Sequence, residues 1–405
     1  MRALARVISI ENTDRAGREM LAIGADKTGV DIMSPKALFR AVKLKNVPVT
    51  AANVLKQDML SAGGEAATSY GTIDHSDRQT DMILFATLSQ YSRLFEKLAK
   101  QQFGLPALAD EIKASLRRHE GVPAPVLGMA FGAKTFVMGI LNSTPDSFSD
   151  GGKYFSAEEA LPHAAQMISQ GADIIDVGGE STRPAAVYGE PSEIPDSEEI
   201  KRVVPVIEKI KGEFPGSVIS VDTRKSSVAS AALKAGASIV NDVSGLCFDP
   251  KMPEVLAPSK AAVIIMHSKG DPKTMQDDPR YDDIMSEILL FFEDRIRYAC
   301  NAGIKEDNIV IDPGIGFGKT TEHNLEILKR LEEFRCLGRP VCLGTSRKSF
   351  IGNILGIKDP VQRDGATAAT ISLAISKKVD IIRVHNVQIA RQTADISDKI
   401  AKEGA

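Results

Sequence analysis

Between residues 136 and 386 the chain repeats one pattern eight times: a short apolar run rich in Val and Ile, followed by a stretch with helical character. The runs are FVMGILN, ADIIDVGGE, SVISVDT, SIVNDVSG, AAVIIMHS, IVIDPG, PVCLGTS and DIIRVHN. Their hydrophobicity is continuous rather than alternating, which is what a strand buried on both faces of a parallel sheet requires. Alternation with helices signals βαβ units, and eight of them over ~270 residues predict a (β/α)8 barrel, the TIM-barrel fold class. The intervening segments carry helix chemistry: Ser156-Ala-Glu-Glu is a cap with acidic residues in the first turn, and the Ala-rich run from Ser226 to Lys234 stops at Gly236. A doubly wound open sheet is the alternative, but it usually has fewer strands, and no G-x-G-x-x-G follows the first run.

A chain of 405 residues exceeds one ordinary core. The pattern divides it into a smaller, helix-rich α/β domain over residues 1–120, a Pro- and Gly-rich linker over 121–134, and the barrel over 135–401. In the first domain the reading is a strand at Ala3–Ile10 and helices at Asp14–Ile23, Pro35–Leu44, Ala51–Ala62, Thr80–Gln102 and Ala107–Arg118. The helix over Thr80–Gln102 rests on apolar residues from Met82 to Leu98 at spacings of three and four. Asp26–Gly29 and Asp74–Asp77 read as polar turns, the latter in preference to a metal cluster.

Charge excludes some partners. With a net charge of −3 and 25% charged residues there is no electrostatic reason to expect nucleic acid or an anionic membrane. No apolar stretch approaches the roughly 18–20 residues that span a bilayer, and the N-terminus does not read as a signal peptide. The four cysteines form no C-x-x-C pair and have no His at metal spacing, so they read as thiols of a reducing, cytoplasmic compartment.

The apolar runs end alike. Each turns polar at its C-terminal end: Asn142, Asp176, Asp222, Asn241 with Asp242, His267, Asp312, Arg347 with Lys348, and Arg383 with His385. One such residue is readily a helix cap or turn former, but in a barrel all eight ends converge on the rim where catalytic groups sit. Acceptors (Asp176, Asp222, Asp312), two amides (Asn142, Asn241) and cations (Lys348, Arg383) with His385, without a nucleophile–base pair, suit a flat nitrogen-rich ring beside an anionic group. Two long Gly- and Ser-rich loops, from Ser143 and from Gly178, lie where lids are found in this fold. DPGIGFGKTT at 312–321 is no phosphate loop, because Pro313 stands where the P-loop spacing requires Gly.

The segments MGILNSTPDSFSDGG (138–152), IIDVGGESTRP (174–184), SVDT (220–223), NDVSG (241–245), MHSKGDPKTMQ (266–276), DPGIGFGK (312–319), TSRKS (345–349) and RVHNV (383–387) resemble those of the dihydropteroate synthase family, collinearly from about residue 136 to 400. The resemblance implies a transferase of folate biosynthesis, a sulfonamide target that joins p-aminobenzoate to 6-hydroxymethyl-7,8-dihydropterin diphosphate with Mg²⁺ assistance. Carried over by position, it implies that Asp222, Asn241, Asp312 and Lys348 hold the pterin, with Asp176 among the catalytic carboxylates. Arg383 would lie against the ring and anchor the diphosphate with His385 and Thr182, and Asn142 would coordinate Mg²⁺. Phe148, Arg183, Pro184, Phe317, Lys348 and Ser349 would form the p-aminobenzoate site, and the barrel would act as a homodimer. Ala185, where the family usually has Gly, and Lys269 depart from the pattern. A pterin-binding methyltransferase shares the Asp–Asn–Asp contacts but not NSTPDSF or TSRKS; a non-catalytic pterin-binding module is the remaining alternative. Every matched site residue follows residue 136, so the first domain is expected to be dispensable for the chemistry.

Overall fold

Each of the eight apolar runs forms a strand: β4 (Phe136–Asn142), β5 (Ile174–Gly178), β6 (Val218–Asp222), β7 (Ile239–Asp242), β8 (Ala262–Met266), β9 (Ile309–Asp312), β10 (Cys342–Leu343) and β11 (Ile381–Val384). The computed structural model describes residues 4–143, 157–180, 194–270, 275 and 277–402. The strands pair in parallel in the order β10-β11-β4-β5-β6-β7-β8-β9. A parallel bridge between Ile311 and Val341 joins the two ends, so the sheet closes into a barrel with helices between successive strands.

Closure makes the two faces of every strand unlike. Phe136, Met138, Ile174, Ile239, Ile264, Val310, Cys342 and Ile381 meet in an inner core. Their neighbours Val137, Ile175, Ile219, Val240, Val263, Ile311 and Ile382 pack outward in a second core with the helices. Both faces are apolar, hence the continuous runs.

The contacts divide the chain between Glu120 and Gly121. The stretch read as a linker is part of the barrel's own core. Val126, Met129 and Phe131 are buried with Phe136, Ile174, Ile239 and Ile381 at the N-terminal end of the strands. Met129 N–H donates to Val126 O at 2.8 Å and Val126 N–H to Met129 O at 3.3 Å, a tight hairpin whose tip residues Leu127 and Gly128 take positive φ. Phe131 meets Phe136 edge-on, centroids 5.5 Å apart. Val126, Met129 and Phe131 form a plug that shields the open end of the inner core from water.

The first unit has three antiparallel strands, β1 (Phe39–Pro48), β2 (Glu65–Thr68) and β3 (Gln79–Thr87), in the order β1-β3-β2. Its helices are Thr13–Ala22, Lys27–Ala37, Val49–Ser61, Leu88–Leu98 and Leu105–Glu120. Three expectations fail here. Residues 4–11 form no strand and are largely exposed, because β propensity without a ladder partner stabilises nothing. Pro35–Leu44 is the end of one helix and the start of β1. Thr80–Gln102 splits at Thr87, whose hydroxyl accepts from Gln90 N–H in a capping box that starts the helix Leu88–Leu98. Before it Thr80, Met82, Leu84 and Ala86 are buried with a period of two. Ile83 and Phe85, apolar on the opposite face, made that alternation look helical. Asp26 is an N-cap, accepting from Gly29 N–H at 2.9 Å, and Asp74 accepts from Ser76 in a local turn.

Phe131→Ala should lower the stability of the barrel by about 3 kcal/mol, the cost of truncating a buried aromatic. Urea unfolding of the full chain measures it, and a change within about 0.5 kcal/mol would return the segment to the status of a linker.

Candidate active site

Strand alternation decides which polar residues enter the barrel. Asp176, Asp222, Asn241, Asp312 and Arg383 each lie two residues beyond an inward-facing residue: Ile174, Ser220, Ile239, Val310 and Ile381. Asn142 shares this register on β4 and is half-buried. These six ends form a polar layer above the apolar one.

Arg383 organises the layer. Its Nε donates to Asp176 Oδ2 and its Nη2 to Asp222 Oδ2, both at 2.6 Å, while Asn241 Nδ2 donates to Asp176 Oδ2 at 3.2 Å. The second oxygens, Asp176 Oδ1 and Asp222 Oδ1, are buried and, like Ser220 Oγ and Ser143 Oγ, have no hydrogen-bond partner among the described residues. Leaving such acceptors unmet costs about 1–3 kcal/mol each, which a ligand bearing N–H donors would recover. Burial pushes the Asp222 carboxyl up to about 7, Arg383 opposing and Asp176 adding to the rise.

The other wall comes from β9 and the turn after β10. Asp312 Oδ1 accepts from Gly314 N–H at 2.7 Å, and burial raises its pKa against the pull of Lys348. Lys348 Nζ donates to Ile315 O and lies 4.4 Å from the centroid of the Phe317 ring. Burial lowers it to about 8, with Asp312 holding its proton. Ser349 opens the helix Ser349–Leu355 immediately after it. His385 N–H donates to Ser346 Oγ at 3.1 Å, and its Nδ1 lies 3.0 Å from the same hydroxyl. Thr182, Arg183, Pro184 and Phe148, with most of both long loops and Ala185, lie outside the described residues.

Three strand-end residues serve the scaffold instead. Asp242 faces outward and accepts from Ser244 N–H, Ser244 Oγ and Leu246 N–H, closing the turn after β7. Arg347 pairs with Asp364 through Nε and Nη2 at 2.7 and 2.8 Å. His267 packs edge-on against Phe291, centroids 4.9 Å apart, and burial pushes it down to about 2.

Two buried lysines escaped the sequence reading. Lys319 Nζ contacts His267 Nδ1 at 2.9 Å and donates to His267 O at 3.2 Å and Phe317 O at 2.9 Å. Lys225 Nζ donates to Glu180, to Glu199 Oε2 at 2.8 Å and to Ile194 O at 2.7 Å. It thereby brings Glu180 and Ile194, which bracket residues 181–193, to one nitrogen. No signal beyond their place just after a strand-end motif marks them; Ser220, two residues before Asp222, could have been found by parity.

Among the described residues no three His, Cys, Asp or Glu side chains are grouped to hold a metal. Asn142, at the end of β4, supplies one neutral oxygen donor. That fits Mg²⁺ of the kind bound by one or two protein ligands plus substrate phosphates.

The pterin binding enzyme family matches residues 138–385. The dihydropteroate synthase of Bacillus subtilis is 47% identical over 276 residues, covering 68% of this chain and 92% of that protein. The probable bifunctional folylpolyglutamate synthase/dihydropteroate synthase of Halobacterium salinarum is 42% identical over 362 residues, covering 89% of this chain and 42% of that longer protein. An alignment of that extent must include much of the first 120 residues as well as the barrel. The crystal structure of Xanthomonas albilineans dihydropteroate synthase with 4-aminobenzoic acid is similar in fold, with TM-score 0.63 and 37% identity over 70% of this chain and 99% of that one.

The raised Asp222 pKa predicts a pH signature. The folded state retains a proton that the unfolded chain releases near pH 4, so this carboxyl's contribution to stability is full below pH 4 and is lost as pH rises through about 7. Asp222→Asn, which cannot ionise, should therefore gain stability over the parent chain by about 2–3 kcal/mol more at pH 8 than at pH 5. Urea unfolding at the two pH values checks this; an equal difference at both would mean that Asp222 ionises normally.

Proposed function

The chain belongs to the dihydropteroate synthases of the pterin binding enzyme family, and from that premise we propose how its own residues carry the reaction. It is a transferase: it condenses 6-hydroxymethyl-7,8-dihydropterin diphosphate with p-aminobenzoate, giving 7,8-dihydropteroate and diphosphate. The observation that carries the residue assignment is the layer of buried acceptors. Asp176 Oδ1 and Asp222 Oδ1 lie unpartnered among the described residues, beside Asn241 and opposite Asp312.

A pterin offers adjacent ring N–H groups that a carboxylate meets in a paired contact. Asp222, Asn241 and Asp312 hold the ring in this reading, and Lys348 donates to its acceptors. Arg383, already fixed between Asp176 and Asp222, lies against the ring and with His385 and Thr182 takes the diphosphate. As the methylene C–O bond breaks, its electron pair leaves with the diphosphate, and positive charge grows on the methylene carbon. Asp176 and Asp222 stabilise that charge from fixed positions at low local dielectric. The neutral amine of p-aminobenzoate then forms the C–N bond and releases a proton. The enzyme acts by position and charge, with no covalent intermediate. Phe317, Lys348 and Ser349, with Phe148, Arg183 and Pro184, form the arylamine site. Mg²⁺, held by Asn142 and the substrate phosphates, would neutralise charge on the leaving group.

The chain is further proposed to act as a homodimer in the cytoplasm. Leu373, Ile396 and Ile400 are exposed on the adjoining helices Asp364–Ser376 and Val387–Lys402, apolar surface that a second copy would cover. Among the described residues no helix is long and apolar enough to cross a membrane. Sedimentation velocity tests the dimer.

Purified chain with Mg²⁺ and both substrates should form dihydropteroate and diphosphate in equal amounts, neither without p-aminobenzoate. Asp222→Asn should lower kcat/KM by roughly 100-fold, the scale of one lost transition-state contact. Arg383→Ala should weaken binding of the pterin diphosphate more than of the pterin alone, read by calorimetry. Equal losses for both would remove Arg383 from the diphosphate site, and folded, pterin-binding protein without product would overturn the assignment of the reaction.

A further inference from the structure

Lys319 is 2% exposed and sits at the end of the DPGIGFGK segment. Among the described residues its hydrogen-bond partners include no carboxylate: they are two carbonyls and an imidazole nitrogen. A lysine buried in this way is costly, and an aliphatic side chain of the same length would fill the space without that cost. What an aliphatic chain could not do is join two carbonyls from different elements. One carbonyl belongs to His267, just past β8; the other belongs to Phe317, in the turn after β9.

Other side chains also reach that turn: Lys348 donates to Ile315 O and Tyr281 O–H to Gly318 O at 2.8 Å. Gly314 N–H donates to Asp312, Gly316 N–H to Asn324 Oδ1 at 2.8 Å, and Phe317 N–H to Gly314 O at 3.1 Å. Its backbone also lies flush against the end of β8. At Gly314, with φ +66°, an added Cβ would fall 1.9 Å from His267 O, and at Gly318 it would fall 2.1 Å from Lys269 O. Among the described residues Lys319 alone donates to the carbonyl of Phe317 itself and ties it to His267 O at the end of β8. With the peptide group of Phe317 held on both sides, its ring is directed over Lys348 Nζ. Burial disfavours the charged forms of both Lys319 and His267, and Nζ keeps both carbonyls and Nδ1 within hydrogen-bond reach.

We propose that Lys319 is a positioning residue for the arylamine site, fixing the Phe317 ring as a wall against which p-aminobenzoate lies. The proposal rests on the reading of Phe317 given above. It is tested by steady-state kinetics of the full chain and its variants Lys319→Met, Phe317→Ala and the double variant, with each substrate varied in turn. Lys319→Met should raise KM for p-aminobenzoate about tenfold and leave KM for the pterin diphosphate within about twofold, a split that general destabilisation would not produce. Because Lys319 acts through Phe317, the double variant should lose no more than Phe317→Ala alone, within about twofold.

Losses that multiply, or an equal rise in both KM values, would overturn the proposal. If Phe317→Ala raises the p-aminobenzoate KM while Lys319→Met is silent, the proposal alone fails. If Phe317→Ala is silent, the reading of Phe317 fails and the proposal with it. Should Lys319→Met not fold, His267→Gln leaves both carbonyls and removes the imidazole partner, along with its edge-on packing on Phe291, and should raise the KM for p-aminobenzoate about threefold with that for the pterin diphosphate unmoved; no change, or an equal rise in both, would count as disproof.

Discussion

The polar layer across the mouth of the barrel depends on the Asp176–Arg383–Asp222 bridge. Three strands, β5, β6 and β11, each deliver one charged group to the inner face, and one guanidinium binds both carboxylates. Two carboxylates this close repel each other, and in a nearly dry layer that repulsion is strong. Arg383 makes the arrangement tolerable without consuming it, since each aspartate keeps its second oxygen unpaired among the described residues. The site is therefore prepared for a ligand that donates hydrogen bonds and becomes positive.

The same bridge sets a limit on stability. Burial drives Asp222 towards its protonated form, so the ligand-free fold carries a group whose ionisation it resists. A chain selected for stability alone would place amides or apolar side chains at these positions. Beneath the layer, Phe136, Ile174, Ile239 and Ile381 with the hairpin plug of Val126, Met129 and Phe131 supply the rigid floor that offsets this cost.

How much of this was legible in the sequence depended on whether one face of an element was unlike the other. The eight strands were legible because burial on both sides leaves an unmistakable apolar run, and the polar layer because each run ended in charge. What strand ends alone did not reveal is which of them point inward. His267 and Asp242 lie one residue out of register with the inner layer and turn to the helices and the turn backbone instead. The hairpin plug was misread because proline and glycine mark a change of direction, and direction changes occur in cores as well as in linkers. In the first unit β3 was misread because Ile83 and Phe85 are apolar opposite the buried Met82 and Leu84, which erased the alternation. Lys225 and Lys319 were invisible for another reason: a lysine reads as surface until its acceptors, from distant segments, are brought together by the fold.

Burial lowers the proton affinity of Lys348 and Lys319, against a charge balance in the site that favours cations. Facing the pocket are Asp176, Asp222 and Asp312 against Arg383 and Lys348, an excess of one negative charge when all are ionised. Burial favours a proton on Asp222, which would cancel that excess. In the proposed reaction, a substrate that develops positive charge at its methylene would remove the need for that proton, coupling ionisation of Asp222 to bond cleavage. An additional ammonium at Lys319, which lies within electrostatic reach of both Asp312 and Lys348, would spoil this match by competing for the same carboxylates. Its burial lowers its proton affinity and so works against that charge, while its hydrogen bonds to the carbonyls and its contact with the His267 ring tie the turn to the end of β8.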